Sequence, residues 1–191
     1  MAERKQSLIE FQAQLAERLR AATRTPLASG LGFAAGGRLW LTDLFEMGEV
    51  VTDAVIVPVP WAKPWFLGLA NVRGVIYGCT DLAAFMGLAA EGGEGTLLLA
   101  HPRLEINAAL RIDRTLGLRS PARMTREDVP PDAPPWVSAQ WRDAQGQVWT
   151  QLSLERLVTS QPFLDAGLAR GDHVGAAGGG LHADKPSPAA T

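Results

Sequence analysis

The chain has 191 residues, 47% of them hydrophobic and 20% charged, and a formal net charge of −2 at pH 7. That is the make-up of a soluble globular protein with enough chain for one domain or two small subdomains, and it offers no bulk attraction to nucleic acid. A single cysteine, Cys79, excludes a disulfide framework and a Cys-based zinc site within the chain, in keeping with a reducing, cytoplasmic location.

Glu3, Glu10 and Glu17 interrupt any apolar core that a signal peptide would need, and no run approaches the ~20 apolar residues of a membrane-spanning helix, so no direct membrane insertion is expected. The spacing predicts an amphipathic helix over 7–22. Ser7 and Glu10 have the S-x-x-E spacing of a capping box, and Leu8, Phe11, Leu15, Leu19 and Ala22 recur on one face. Thr25-Pro26 stops it. The apolar stripe serves either to pack on the protein's own body or to meet a partner, and the sequence does not separate the two.

From Leu31 the pattern changes to short strands. Leu31–Ala34 and Arg38–Leu41 flank Gly36-Gly37, a tight hairpin signal, and Asp43–Val51 and Ala54–Val57 follow. Pro58, Pro60 and Pro64 lack backbone donors, so the segment through Lys63 reads as a surface loop, with Pro64 opening a short helical turn. Trp65, Phe66, Leu67 and Leu69 form an apolar cluster. Asn71, tolerant of the left-handed conformation, turns the chain into a strand over Val72–Thr80 that Gly74 and Gly78 punctuate. Arg73, at the mouth of that strand, is either an exposed side chain lying over apolar neighbours or a contact anchor.

Leu82–Leu88 closes as a short helix, Glu91–Gly95 is a turn, and strands resume at Thr96–Ala100 and Ile106–Asp113. The five prolines between Ser120 and Pro135 predict a long surface loop. Val137–Asp143 and Gln147–Thr150 flank a short turn, with Trp141 and Trp149 able to pair across it. Ser153 begins a helix that Pro162 ends or kinks, and the Gly-, Ala- and Pro-rich tail lacks the apolar content to fold. Many short strands punctuated by glycine, with a helix at each end, make a mainly β protein of small barrels or a sandwich.

Gly68-Leu-Ala-Asn71-Val-Arg73-Gly74, followed by Thr80-Asp81-Leu82, resembles the GxxNxRGxxxxxxDL core of the CheW family of chemotaxis coupling proteins. The run Pro64–Gly74 resembles in particular its PilI-like branch, which serves type IV pilus and twitching motility. In that family a V-x-E-I segment lies nineteen positions ahead of the first glycine of the motif, counted from its Glu. Glu49 precedes Gly68 by that interval, with Met47 and Val50 in the places of Val and Ile.

The resemblance implies two interlocked five-stranded β-barrels sharing a hydrophobic core, with an added N-terminal helix and a C-terminal helix. The implied layout is a helical extension over 1–25, a CheW-like domain over 26–168 and a disordered tail over 169–191. Asn107–Leu118 resembles the family's second-half strand, ending in an acidic residue and a V-L-G-like turn. Met47 and Val50 are implied to belong to an apolar partner-binding patch with Glu49 near Arg73. Met47, Glu49, Val50, Gly68, Asn71, Arg73 and Gly74 are thus the candidate protein-binding residues. The implied partners are a CheA-type histidine kinase and the cytoplasmic tip of a methyl-accepting chemoreceptor.

Catalysis has no candidate residues. No HExxH, Cys-His cluster or phosphate loop is present, and Cys79 in an apolar strand reads as a buried inert thiol, so neither a metal nor a cofactor is expected. Arg103, Arg111, Arg114, Arg119, Arg123 and Arg126 are interspersed with acids, which reads as a solvated mixed surface rather than a nucleic-acid site. The reading is a non-enzymatic adaptor. The alternative is a small-ligand-binding β-barrel with Trp61, Trp65 and Phe66 as its apolar wall.

Overall fold

The computed structural model describes residues 30–89 and 95–168. The helix expected over 7–22, most of the Glu91–Gly95 turn and the tail over 169–191 lie outside the described residues.

The chain begins with a hairpin of β1 (Gly30–Ala35) and β2 (Arg38–Asp43). Gly36 and Gly37 both take positive φ, 59° and 71°, which is the geometry of a two-residue turn that matches strand twist. Asp43 accepts the Phe45 N–H at 2.8 Å and turns the chain into β3 (Met47–Val51), after which β4 is only Ile56–Val57. Then come β5 (Phe66–Val72), β6 (Val75–Asp81), helix α1 (Leu82–Phe85), β7 (Thr96–Ala100) and β8 (Ala108–Ile112). Strands β9 (Arg114–Arg119), β10 (Thr125–Glu127), β11 (Val137–Arg142) and β12 (Val148–Leu152) precede helices α2 (Leu154–Val158) and α3 (Gln161–Leu164).

These strands form two six-stranded sheets, ordered β10-β11-β12-β2-β1-β9 and β3-β7-β8-β6-β5-β4. Pairing is antiparallel except for β12 with β2 and β6 with β8. All six strands of the second sheet send a side chain into one cluster: Val51, Ile56, Ala70, Tyr77, Cys79, Leu97, Leu99 and Ala109 are all in it. A flat sheet of that strand number would be about 24 Å across. Its edges meet in one cluster only because the sheet curls on itself.

The opposite face supplies the shared core. Leu98, Ala100, Ala108, Leu110 and Ile112 of the second sheet meet Leu31, Phe33, Ala35, Trp40 and Leu152 of the first, with α1, α2 and Phe163 sealing the rim. The expected pair of small barrels on a common core is therefore present, with six strands in each sheet rather than five. One edge of each sheet is a short strand, β10 of three residues and β4 of two.

Four local expectations are corrected. The single strand expected over Val72–Thr80 is β6 (Val75–Asp81), and it is preceded by an unexpected strand, β5 (Phe66–Val72), whose alternation is broken by a register shift between Phe66 and Gly68 so that Leu67, Ala70 and Val72 face in. Leu116-Gly117-Leu118 lies within β9 instead of forming a turn. The proline-rich stretch holds a 3-10 turn at Pro121–Arg123 and β10, which pairs with β11. Pro162 neither ends nor kinks the Ser153 helix; it sits in the first turn of α3, where its missing N–H costs nothing.

Candidate functional site

The β5–β6 hairpin closes through Arg73 and Gly74, whose φ values are 51° and 88°. Asn71 is not the left-handed residue. Its side-chain oxygen instead accepts the Gly74 N–H at 2.8 Å and braces the turn from outside. The guanidinium is thereby carried out at the hairpin tip, where Arg73 Nη2 lies 2.8 Å from Glu49 Oε1. In the hydrogen-bonded order β3 and β5 are separated by β7, β8 and β6, so this ion pair spans the seam where the second sheet curls back on itself. The Arg73 side chain is 79% exposed and that of Glu49 37%, so the pair is solvent-screened and contributes little to folding.

Strand β3 explains the spacing of the other candidates. Strict alternation would put Met47 and Glu49 on one face. A register shift against β7 between Met47 and Val50 lets Met47 and Val50 both pack on the shared core while Glu49 points out. Gly48 sits at the shift, where a Cβ would stand 3.3 Å from the Ala100 carbonyl oxygen, a close contact that a small movement relieves. Met47 and Val50 are half-buried.

Gly68 is structural. At φ 132° a Cβ would lie 2.0 Å from the Val57 carbonyl oxygen, so only glycine lets the proline loop run close against β5. Around the hairpin tip Leu69, Val75 and Ile76 are exposed. Leu69 was part of the apolar cluster read from the sequence, but Val75 and Ile76 were not singled out, because β-branched residues in a strand look the same whether they face the core or water.

A further residue that sequence reasoning missed is Glu46. Its carboxylate accepts the Leu154 N–H at 2.6 Å and the Ser153 hydroxyl at 3.0 Å, capping α2, while its carbonyl accepts the His101 N–H at 2.9 Å. It ties the approach to β3 to both halves of the molecule. Asp81, the acid of the DL pair, accepts the Ala84 N–H at 3.1 Å as the cap of α1 and is bonded to Arg111, so its role is structural.

The remaining chemistry-bearing residues are engaged locally. Cys79 is fully buried, and burial pushes its thiol up to about 11, which leaves no thiolate at neutral pH. His101 accepts the Arg103 N–H at Nδ1, 3.1 Å away. Arg119 and Arg126 lie over the rings of Trp149 and Trp141. Those two tryptophans sit opposite each other across β11 and β12, as expected, each with its own arginine. Among the described residues no group of three or more His, Cys, Asp or Glu is placed to hold a metal, and no helix is long and apolar enough to cross a membrane.

The apolar wall of a ligand barrel is not built. Trp65 is used inside the protein, stacked on Phe163 and edge-on to Phe66 and Phe85, whereas Trp61 is exposed with φ 54°. A cavity of about 210 Å³ lies elsewhere, over β2 and β12 beneath the Pro130–Pro134 loop, and none of Trp61, Trp65 and Phe66 lines it.

A family profile described as a CheW-like domain matches residues 29–161. The chain belongs to the CheW-like domain family. Protein PilI of Pseudomonas aeruginosa is 30% identical to it over 142 residues, covering 72% of this chain and 79% of that protein. Among solved structures, the scaffolding protein TtCheW from Thermoanaerobacter tengcongensis superposes with a TM-score of 0.59 at 19% identity, over 71% of this chain and 94% of that one. At that identity the likeness speaks for the fold alone.

Within this CheW-like chain, six of the seven candidate residues gather at the seam of the second sheet or stand directly beneath it. Glu49 and Arg73 are in contact, Asn71 and Gly74 build the turn that presents Arg73, and Met47 and Val50 flank Glu49 along β3. Gly68 stands apart, holding the proline loop.

Proposed function

We propose that the chain is a non-catalytic adaptor that couples the cytoplasmic tip of a methyl-accepting chemoreceptor to a CheA-type histidine kinase, in a chemotaxis-like system controlling type IV pilus twitching motility. The observation that carries this reading is the hairpin tip itself. A family motif has been turned into a preorganised cation, Arg73, held in a sterically unfavourable backbone conformation, paired with Glu49, on a hairpin that also exposes Leu69, Val75 and Ile76. An arginine amid apolar side chains on a rigid support is the make-up of an interface anchor, and a strained residue at an exposed tip is kept where it serves recognition.

The functional unit is the domain over 26–168, working in the cytoplasm, with 1–25 and 169–191 as additions. The mechanism is scaffolding. The adaptor transfers no phosphate; it holds kinase and receptor so that a change in receptor packing shifts the kinase between two arrangements. Met47 and Val50 offer their outer sides to the partner and rest their inner sides on the core, so a seated partner feels the rigidity of the whole domain.

The test is capture from the source cell's lysate with the full chain as bait, beside Arg73→Glu, which sets a second carboxylate against Glu49. A histidine kinase and a chemoreceptor recovered with the parent and depleted about tenfold with the variant support role and site together. Equal recovery by the variant removes Arg73 from the site. Recovery of neither by a folded parent overturns the adaptor reading.

A further inference from the structure

The walls of the cavity beneath the Pro130–Pro134 loop are each pinned by a bond of their own. Its floor is the buried Trp40 ring, whose indole N–H donates to the Ala35 carbonyl oxygen at 3.0 Å. One end is Met86, just past α1, whose sulfur accepts the Trp136 indole N–H at 3.4 Å. Two turns hold the roof. The Ala133 N–H donates to the Pro130 carbonyl at 3.0 Å and the Val137 N–H to the Pro134 carbonyl at 2.9 Å, while the proline rings fix the backbone between them. Such walls keep the space open, and a molecule that enters it has little left to order.

The lining divides by chemistry. Trp40, Met86, Val137 and the proline rings are apolar. In the strand register Trp40 stands beside Thr150 and Thr150 beside Gln140, one row across β2, β12 and β11, so a hydroxyl and an amide share the face of the indole ring. Arg38 and Asp132 also line the cavity and are exposed, which places them where it opens to water. Among the described residues, the side chains of Arg38, Asp132, Gln140 and Thr150 make no hydrogen bond or ion pair with another group.

We propose that this cavity binds a free α-amino acid with an apolar side chain. Arg38 takes the carboxylate, Asp132 takes the ammonium, and the apolar arm lies on Trp40. Two uncommitted charges of opposite sign call for a zwitterion. A ligand with one charge leaves the other unmatched, and a purely apolar one desolvates Thr150 and Gln140 without return. The size agrees, since drug-sized ligands occupy about 300 Å³ or more and this cavity holds about 210 Å³. A partner's polypeptide is not the occupant, because a chain end brings one of the two charges and an internal residue brings neither. The cavity shares no residue with the Glu49 and Arg73 seam, so the domain has a small-molecule site beside its protein contacts.

Calorimetric titration of the full chain with L-leucine, L-methionine and L-phenylalanine in turn tests this with no protein partner present, so its outcome is independent of the adaptor reading. At least one of the three is expected to saturate the protein at about 1 mM or below. That amino acid is expected to bind about tenfold more tightly than its N-acetyl derivative, which lacks the ammonium, and than its amide, which lacks the carboxylate. Asp132→Asn is expected to erase the first preference and Arg38→Ala the second, in proteins that stay folded because both side chains are exposed. No saturation by any of the three, equal binding of the blocked derivatives, or preferences that survive both substitutions would each overturn the proposal.

Discussion

Replacing Arg73 by Asn separates what this residue does for the fold from what it does for recognition. Both central residues of the turn have positive φ, and an ordinary side chain in that conformation costs about 1–2 kcal/mol, a penalty that Asn, the preferred partner of Gly in such turns, largely avoids. The ion pair lost with the guanidinium is mostly solvated, so its loss offsets at most about 0.5 kcal/mol of that gain. Arg73→Asn should therefore be as stable as the parent, or more stable by about 0.5–1 kcal/mol, which at a typical urea slope raises the midpoint by a few tenths molar. Binding should move the other way. Loss of an anchor arginine costs about 2 kcal/mol, or roughly thirtyfold in Kd. Urea unfolding followed by tryptophan fluorescence gives the first number, and titration against the captured kinase gives the second. A variant destabilised by more than about 1 kcal/mol would show that the turn does not strain Arg73. A variant of unchanged affinity would show that the strain serves something other than this contact.

Gly68→Ala should destabilise by about 3 kcal/mol or more, because its Cβ would fall 2.0 Å from the Val57 carbonyl oxygen in a backbone conformation that side chains rarely adopt. A loss under about 1 kcal/mol in the same urea assay would mean that β4 and the proline loop shift freely. For Cys79 the test is in alkali. The thiol titrates at about 11 when folded against an ordinary 9.0, so the unfolded chain releases its proton first, and the thiol's contribution is fully present below pH 9 and lost as pH rises toward 11. Cys79→Ser starts about 1–3 kcal/mol less stable through its buried hydroxyl, and its gap to the parent should narrow over that interval. A constant gap would contradict the burial argument.

What the sequence made legible was what neighbouring residues decide among themselves. Gly36-Gly37 could only be a tight turn, Ser153 could only cap what followed it, and Thr96–Ala100 is a buried strand from end to end. The start of β5 was hidden by the bulge at Gly68, which puts two residues where alternation allows one. The turn was misassigned because Asn71 is the more usual left-handed residue, whereas Arg73 takes that role and Asn71 lends only its side chain. Contacts across the seam had no local trace. The approach of Glu49 to Arg73 was implied by family resemblance alone, and the Glu46 cap joins residues 107 and 108 positions apart, a separation at which no spacing rule speaks.

The order of strands also decides when each sheet can exist. Every strand of the second sheet lies within one continuous stretch, Met47 to Ile112, so that sheet is complete as soon as residue 112 has been made. The first sheet opens with β1 and β2 and must wait for β12, which slides in parallel beside β2 with Trp149 opposite Leu39. During synthesis the opening hairpin therefore spends the making of more than half the chain with one edge bare, its place beside β12 still untranslated. Loop closure over that distance is slow, and an unpaired edge recruits other strands. A nascent chain arrested short of β12 should bind a chaperone more strongly than the finished protein does.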